Sequence, residues 1–310
     1  MPHWLIKSAI HRVISCLPQR QFWNGLLQKY FTRSTELTPA MFEEKLRNCR
    51  RFVEAWQTGS SGQTEFRALE LGTGWYPVIP VAMYLCGAKE VWTIDIEALL
   101  STERLGRMVE RFRSYNDTKS LEAILPGCRP ERVAELRALA PLVAHTEPAE
   151  LLARLKVRVL VGDAAQTGLD AGSINLFFSN GVLEYIPRGV LQAILKEARR
   201  VAAPGAVMCH RINLVDQFST FDHSLTPFNF LQFSPSEWRR RDSPLISQNR
   251  LRISDYRQLI RGAGFTILKE DNTLGHPDEL ARVRLAAEFR NYQLEDLLVI
   301  HSYLTAQAGE

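Results

Sequence analysis

From Phe66 onward, short apolar runs alternate with amphipathic stretches, and that alternation restricts the fold more than any other feature of the chain. A brief apolar run bounded by turn residues is a buried strand, and a helical stretch after it carries the chain back across the sheet. The expected result is an α/β fold, a largely parallel sheet with helices on both faces. Seven strands are read, over residues 68–71, 91–94, 157–161, 174–179, 206–212, 265–269 and 297–303. Between the second and third lie roughly sixty residues, far more than a crossover needs. Helical spacing at 103–115, 130–140 and 148–155 makes this stretch, about 103–156, a helical insertion.

The first 64 residues read differently, as a helical extension before a domain spanning 65–310. Leu5, Ile6, Ala9, Ile10, Val13, Ile14 and Leu17 fall on one helical face, with Lys7, His11 and Arg12 elsewhere and Pro18 ending the helix. A basic amphipathic helix that carries Trp4 could lie on a membrane surface, but packing on the protein's own core is the favoured reading. A second helix covers 42–56, opened by Thr38 and Pro39 as cap and first-turn residues, before a loop beginning at Gly59.

Composition removes several classes. The 310 residues are 45% hydrophobic and 23% charged, which excludes disordered, collagen-like and coiled-coil chains. A net charge of +4 argues against a surface that grips a long phosphate backbone. The five cysteines, Cys16, Cys49, Cys86, Cys128 and Cys209, are scattered and form no CxxC pair. They read as reduced thiols, and the absence of a long apolar run adds the expectation of a cytoplasmic protein.

The chemistry concentrates at the carboxyl ends of the first four strands. Arg67 to Pro77 reads RALELGTGWYP: a buried strand ends in Glu70, and Gly72 and Gly74 follow, flanking Thr73. Glycines there permit a tight turn and a close approach of ligand to backbone. An acid at the strand tip is a poor neighbour for a pyrophosphate and suits a ligand with ammonium or hydroxyl donors. The second strand ends in Asp95, about twenty residues on, where an acid bridges ribose hydroxyls. Asp163 and Ala164 follow the third strand, and Asn180 and Gly181 the fourth.

In this order the segments resemble those of the class I S-adenosylmethionine-dependent methyltransferases, whose Rossmann-like methyltransferase sheet has seven strands. The resemblance covers about 66–212, with the last two strands out to about 304. It implies S-adenosylmethionine as cofactor, with Glu70, Gly72, Thr73 and Gly74 along its methionine part. It further implies Asp95 on the ribose, Ile96 on the adenine face, Asp163 and Ala164 facing the adenine, and Asn180 and Gly181 near the methyl group. Three departures stand out: Tyr76 before Pro77 where a small residue is common, Asn175 where Asp is frequent, and Tyr185 where His is frequent.

On the acceptor side, a hydroxyl needs a base within hydrogen-bond reach, whereas an amine can do without one. The fifth strand and its exit supply His210, Arg211, Asp216, Asp222 and His223. Either His210 or His223 is a candidate base with an Asp holding its tautomer, and Tyr185 is a third candidate; fixing a loop is the competing role. The His and Asp spacing fits no compact metal motif, so no metal is expected. The aromatic stretch that follows, with Phe228 and Trp238, reads as an acceptor wall or as core. Arginines from 239 to 261 read as a solvated helix face with Ser254 as helix cap, or as a clamp in which Arg250 or Arg252 joins Arg211 on an anionic acceptor. The resulting expectation is methyl transfer to a small molecule, oxygen ahead of nitrogen, such as a specialised metabolite or a glycan or lipid precursor. The alternatives are an RNA or protein methyltransferase and a non-catalytic protein that binds the cofactor.

Overall fold

The computed structural model describes residues 36–60, 65–220, 222–242 and 247–309. The amphipathic helix expected at 5–17 and the loop at 61–64 lie outside the described residues. The seven strands are β1 (Arg67–Leu71), β2 (Glu90–Asp95), β3 (Val157–Val161), β4 (Ile174–Asn180), β5 (Ala202–Asn213), β6 (Phe265–Leu274) and β7 (Val299–Ala308), in one sheet of order β3-β2-β1-β4-β5-β7-β6. β1 to β5 pair in parallel, whereas β7 runs antiparallel between β5 and β6. The parallel reading thus holds for five strands. An apolar run carries no information about direction, and the connection between β6 and β7, residues 275–298, is long enough for either pairing.

Side chains alternate across the sheet, so each strand feeds two cores. One face, with Ala68, Val91, Leu176, Phe178 and Val207, packs against helix α1 (Pro39–Gly59), helix α2 (Val78–Leu85) and helix α3 (Thr102–Asp117). The other, with Leu69, Ile94, Phe177, Met208 and Leu304, packs against helix α4 (Arg188–Val201) and helix α5 (Ile253–Gly262). Phe228, Phe230, Trp238, Phe289 and Leu297 form a third cluster under the segments that precede β6 and β7.

One helix signal acts as read, and the structure adds a second side-chain cap at Ser101. Thr38 Oγ1 accepts the Met41 N–H at 3.2 Å and Pro39 opens α1; Ser101 Oγ accepts the Arg104 N–H at 3.3 Å at the start of α3. At α5 the cap differs. Arg252 is the cap residue, its N–H bonded to Asp255 Oδ2 at 2.9 Å, and Ser254 lies inside the helix. β7 also starts two residues later than read, because Leu297 and Leu298 belong to a short helix, Leu294–Leu298, and fill the third cluster. No helix among the described residues is long and apolar enough to cross a membrane.

Candidate active site

The parallel strands aim their carboxyl ends at one edge, where an open α/β sheet takes its ligands. Gly72 follows β1 with φ +87°, and a Cβ there would come within 2.5 Å of Val182 Cγ2. Gly74 has φ +62°, and nothing lies within 4 Å of where its Cβ would stand, so the loop is left-handed beside open space. Its N–H donates to Asp95 Oδ2 at 2.9 Å, and the Glu97 N–H to Asp95 Oδ1 at 3.2 Å. Two bonds fix the carboxylate and leave lone pairs for further donors. Ile96, next in line, is 81% exposed.

Glu70 is deeply buried. Its Oε2 accepts from Thr93 Oγ1 at 2.6 Å, and Thr93 is bonded in turn to Thr73 Oγ1 at 2.7 Å. Burial pushes the Glu70 carboxyl up to about 8 against the pull of the Thr93 bond and the Lys45 charge. Asp163 is exposed and turns its own loop through the Ala165 N–H at 2.9 Å, while Ala164 packs on the second core. Arg104 lies 4.1 Å over Trp75 and donates to Leu99 O, tying the loops after β1 and β2 together. A cleft of ≈ 230 Å³ beside them is lined by Thr73, Glu97, Leu99, Pro148 and Val161, so the insertion walls this side.

Sequence reasoning missed the cover over the other side. Helix α1 lays Glu44 and Asn48 across the ends of β4 and β5. Asn48 Nδ2 donates to Asn180 Oδ1 at 2.8 Å and Asn48 Oδ1 accepts from Tyr303 OH at 2.5 Å, while Glu44 pairs with Arg211 at 2.9 Å. Arg211 and Gly181 meet here: Gly181 has φ +68°, its N–H donates to Arg211 O, and Arg211 Nη1 and Glu184 Oε1 lie 3.7 and 3.5 Å from where a Cβ would stand. Glu184 was also missed. It is buried, burial pushes its carboxyl up to about 8, and its Oε2 has no hydrogen-bond partner among the described residues. Polar residues on α1 read in sequence as a solvated face, and Glu184 sits in an otherwise apolar run.

Several expected roles do not survive the geometry. His210 is fully buried on the α4 and α5 side, its Nδ1 2.8 Å from Ser179 Oγ and its ring edge-on to Phe177; burial lowers it to about 3, so it is neutral and walled off from any acceptor. His223 is exposed, and the two aspartates that could orient it are engaged elsewhere. Asp222 accepts from Ser224 Oγ at 2.5 Å and Asp216 from Asn229 Nδ2 at 2.8 Å. Arg252, fully buried, donates to the carbonyls of Leu214, Leu297 and Val299; Arg250 donates to those of Phe230 and Phe233 and pairs with Glu288. Both guanidiniums pin the chain to itself. Phe228 and Trp238 are core residues of the third cluster, Trp238 Nε1 bonded to Gln248 O. Tyr185 is partly exposed and pairs with Gln217, with its hydroxyl raised by burial and by Glu184. Asn175 Oδ1 accepts the Arg67 N–H at 2.9 Å, so that departure braces the start of β1.

Comparison with known proteins adds a direct match. Residues 132–209, from the insertion through β4 into β5, match the family model of a methyltransferase domain. No curated protein matches the chain by sequence. Among solved structures, S-adenosylmethionine-dependent methyltransferases from Methanosarcina mazei are 15% identical, with 79% of this chain and 93% of that one covered and a TM-score of 0.44. A protein from Pyrococcus horikoshii OT3 is 13% identical over 91% and 98%, with a TM-score of 0.49. A geranyl diphosphate methyltransferase with bound substrate and sinefungin is 11% identical over 84% and 78%, with a TM-score of 0.47. The residues along the edge suit the cofactor: two acids on adjacent strands, open space over Gly74 and an uncovered Ile96. The matched stretch lies inside this sheet, from the insertion into β5, so residues 132–209 are similar to a methyltransferase domain.

Proposed function

We propose that the protein methylates a small-molecule hydroxyl. The observation that carries this reading is the cover over the methyl end, where α1 closes on the strand ends through the Asn48–Asn180 bond and the Glu44–Arg211 pair. A space bounded this way suits a compact acceptor and leaves little room for a folded RNA or a protein chain. The arginines that could have favoured RNA add to the argument, since Arg250 pairs with Glu288 and Arg257 with Glu270 and Asp296. The arginine beside the acceptor space is Arg211, whose guanidinium an anionic group would share with Glu44.

In this reading Asp95 holds the ribose hydroxyls, Glu70 the methionine ammonium, Ile96 and Ala164 the adenine, and Asn180 with Gly181 the backbone turn beside the methyl group. When bound, S-adenosylmethionine supplies an electrophilic methyl group on a sulfonium. The chain's part is to align the acceptor, exclude water and take a proton. Glu184 replaces the two histidines as the group for the last task. Its Oε1 lies 3.5 Å from where a Cβ on Gly181 would stand, and the fraction ionised below its raised value of about 8 can take the hydroxyl proton there. Methyl-labelled cofactor offered to a metabolite extract, bulk RNA and a protein lysate tests the acceptor class. Label is expected in a fraction below about 1 kDa, the ligand scale that enclosed pockets accept; label confined to RNA or protein would reverse the assignment.

A further inference from the structure

Cys49, Cys86 and Cys128 are scattered in sequence and meet in space. Cys86 caps the C-terminus of α2, Cys49 is buried in α1, and Cys128 lies where the insertion turns back against α2. The backbone fixes that return: the Arg129 N–H donates to Leu85 O at 2.8 Å, and the Arg129 guanidinium folds over Gly87, 2.7 Å from where a Cβ would stand. Residues 86 and 128, each one step from that bond, are thereby set side by side. Cys86 Sγ lies 3.8 Å from where a Cβ on Gly127, the residue before Cys128, would stand, and its thiol is in hydrogen-bond contact with those of Cys128 and Cys49. A disulfide needs Cα atoms about 4.4–6.8 Å apart, the range of residues that face each other across paired backbones. Cys49 is sealed in the core, whereas Cys86 and Cys128 are half-buried, and Cys128 lines a cleft of ≈ 270 Å³ with Asn116, Leu121 and Arg137.

We propose that Cys86 and Cys128 are an oxidisable dithiol, a modification site at which a small disulfide such as oxidised glutathione closes one Sγ–Sγ bond. One cysteine, as thiolate, attacks the reagent and releases one glutathione; the other then attacks the mixed disulfide and releases the second. Two electrons and the two thiol protons pass to the two glutathiones. The bond closes a loop over residues 86–128 that contains β2 with its terminal Asp95, and it ties the insertion to the helix that follows the glycine turn. The surroundings set the pace. Cys128 is pushed up by its contact with Cys86 and by burial; at Cys86 the Cys128 contact pulls down, and the Cys49 contact with burial outweighs it. Thiolate is scarce, so exchange is slow at neutral pH, and the reduced pair gains no thiolate stabilisation that would weaken the disulfide once it has formed.

The test is incubation of the full chain with excess oxidised glutathione at about pH 9, where more thiolate is present, followed by alkylation and non-reducing peptide mapping. One link is expected, between the peptides of Cys86 and Cys128, with loss of two hydrogens. The melting temperature should rise by about 4–10 °C, as for a staple on a loop of this length, and return on adding dithiothreitol. Cys86→Ser and Cys128→Ser should show neither link nor rise, and the wild-type map decides alone if either variant fails to fold. A persistent glutathione adduct without a link, a link from any other cysteine, or full alkylation of both thiols after prolonged incubation would overturn the assignment. So would a link that forms only above the melting temperature, because it would arise in the unfolded chain.

Discussion

The two halves of the sheet's carboxyl edge are built from the same kind of strand end and are covered in opposite ways. Over β2 and β3 the edge is open: Ile96 is 81% exposed, Val161 57%, and Asp163 faces solvent. Over β4 and β5 it is closed: Asn48 of α1 is 3% exposed, as are Glu184 and the nearby Glu70. In the proposed reading the sheet edge takes the ligand, and the added helix shelters one end of it. The open half suits a base that stacks on an apolar side chain. The closed half suits chemistry that must keep water out, and its buried charges are tolerable only because each has, or awaits, a partner.

The comparison can be broken most completely at the turn that joins the halves. In Gly72→Ala the new Cβ meets Val182 at 2.5 Å in a left-handed backbone. Strain of about 1–3 kcal/mol and loss of S-adenosylhomocysteine binding are expected, read by urea unfolding and calorimetry. Unchanged binding would show that this loop is not the ligand's cradle.

A subtler effect separates the halves by pH. Burial holds Glu70 and Glu184 up to about 8, against about 4.5 for an unburied glutamate. Between those limits the folded chain binds protons that the unfolded chain has released, so the ligand-free protein loses stability as pH rises from about 5 to about 8. The cofactor's ammonium favours ionised Glu70, so S-adenosylhomocysteine affinity rises toward pH 8 and binding below it releases a proton. Calorimetry in buffers of different ionisation enthalpy measures that proton, and Glu70→Gln should abolish it. Binding of 5′-methylthioadenosine, which lacks the amino-acid end and is confined to the open half, should lack this dependence.

The smallest change comes from the open half. Ile96→Ala removes apolar contact from a surface position, so folding stability should move by less than about 0.5 kcal/mol. Affinity for S-adenosylhomocysteine and 5′-methylthioadenosine should fall together by about 1–2 kcal/mol, the loss of a partly buried side chain. A fall for one ligand only would place Ile96 away from the adenine.

Much of this was legible in the sequence. Each of the seven strands announces itself as a short apolar run, and Glu70, Gly72, Gly74 and Asp95 stand out as acids and glycines at strand tips. The cover was not legible. Glu44 and Asn48 share a face of a helix whose other face is plainly core, and pattern alone assigns such residues to solvent. Arg250 and Arg252 misled for the opposite reason. An arginine-rich run reads as surface or clamp, whereas both side chains turn inward to backbone carbonyls supplied from far along the chain. His210 failed likewise: alternation puts it on the α5 face of β5, and which face stays wet depends on helices packed later.

Hydrogen exchange with each of two ligands tests the central claim most directly. With S-adenosylhomocysteine, amides after β1 and β2, around 72–76 and 95–97, and amides of α1 around 44–48 should all gain protection. With 5′-methylthioadenosine only the loop after β2 and its partner turn should respond, leaving α1 at its ligand-free rate. Equal protection of α1 by both ligands, or none by either, would contradict a cofactor site closed at its methionine end by that helix.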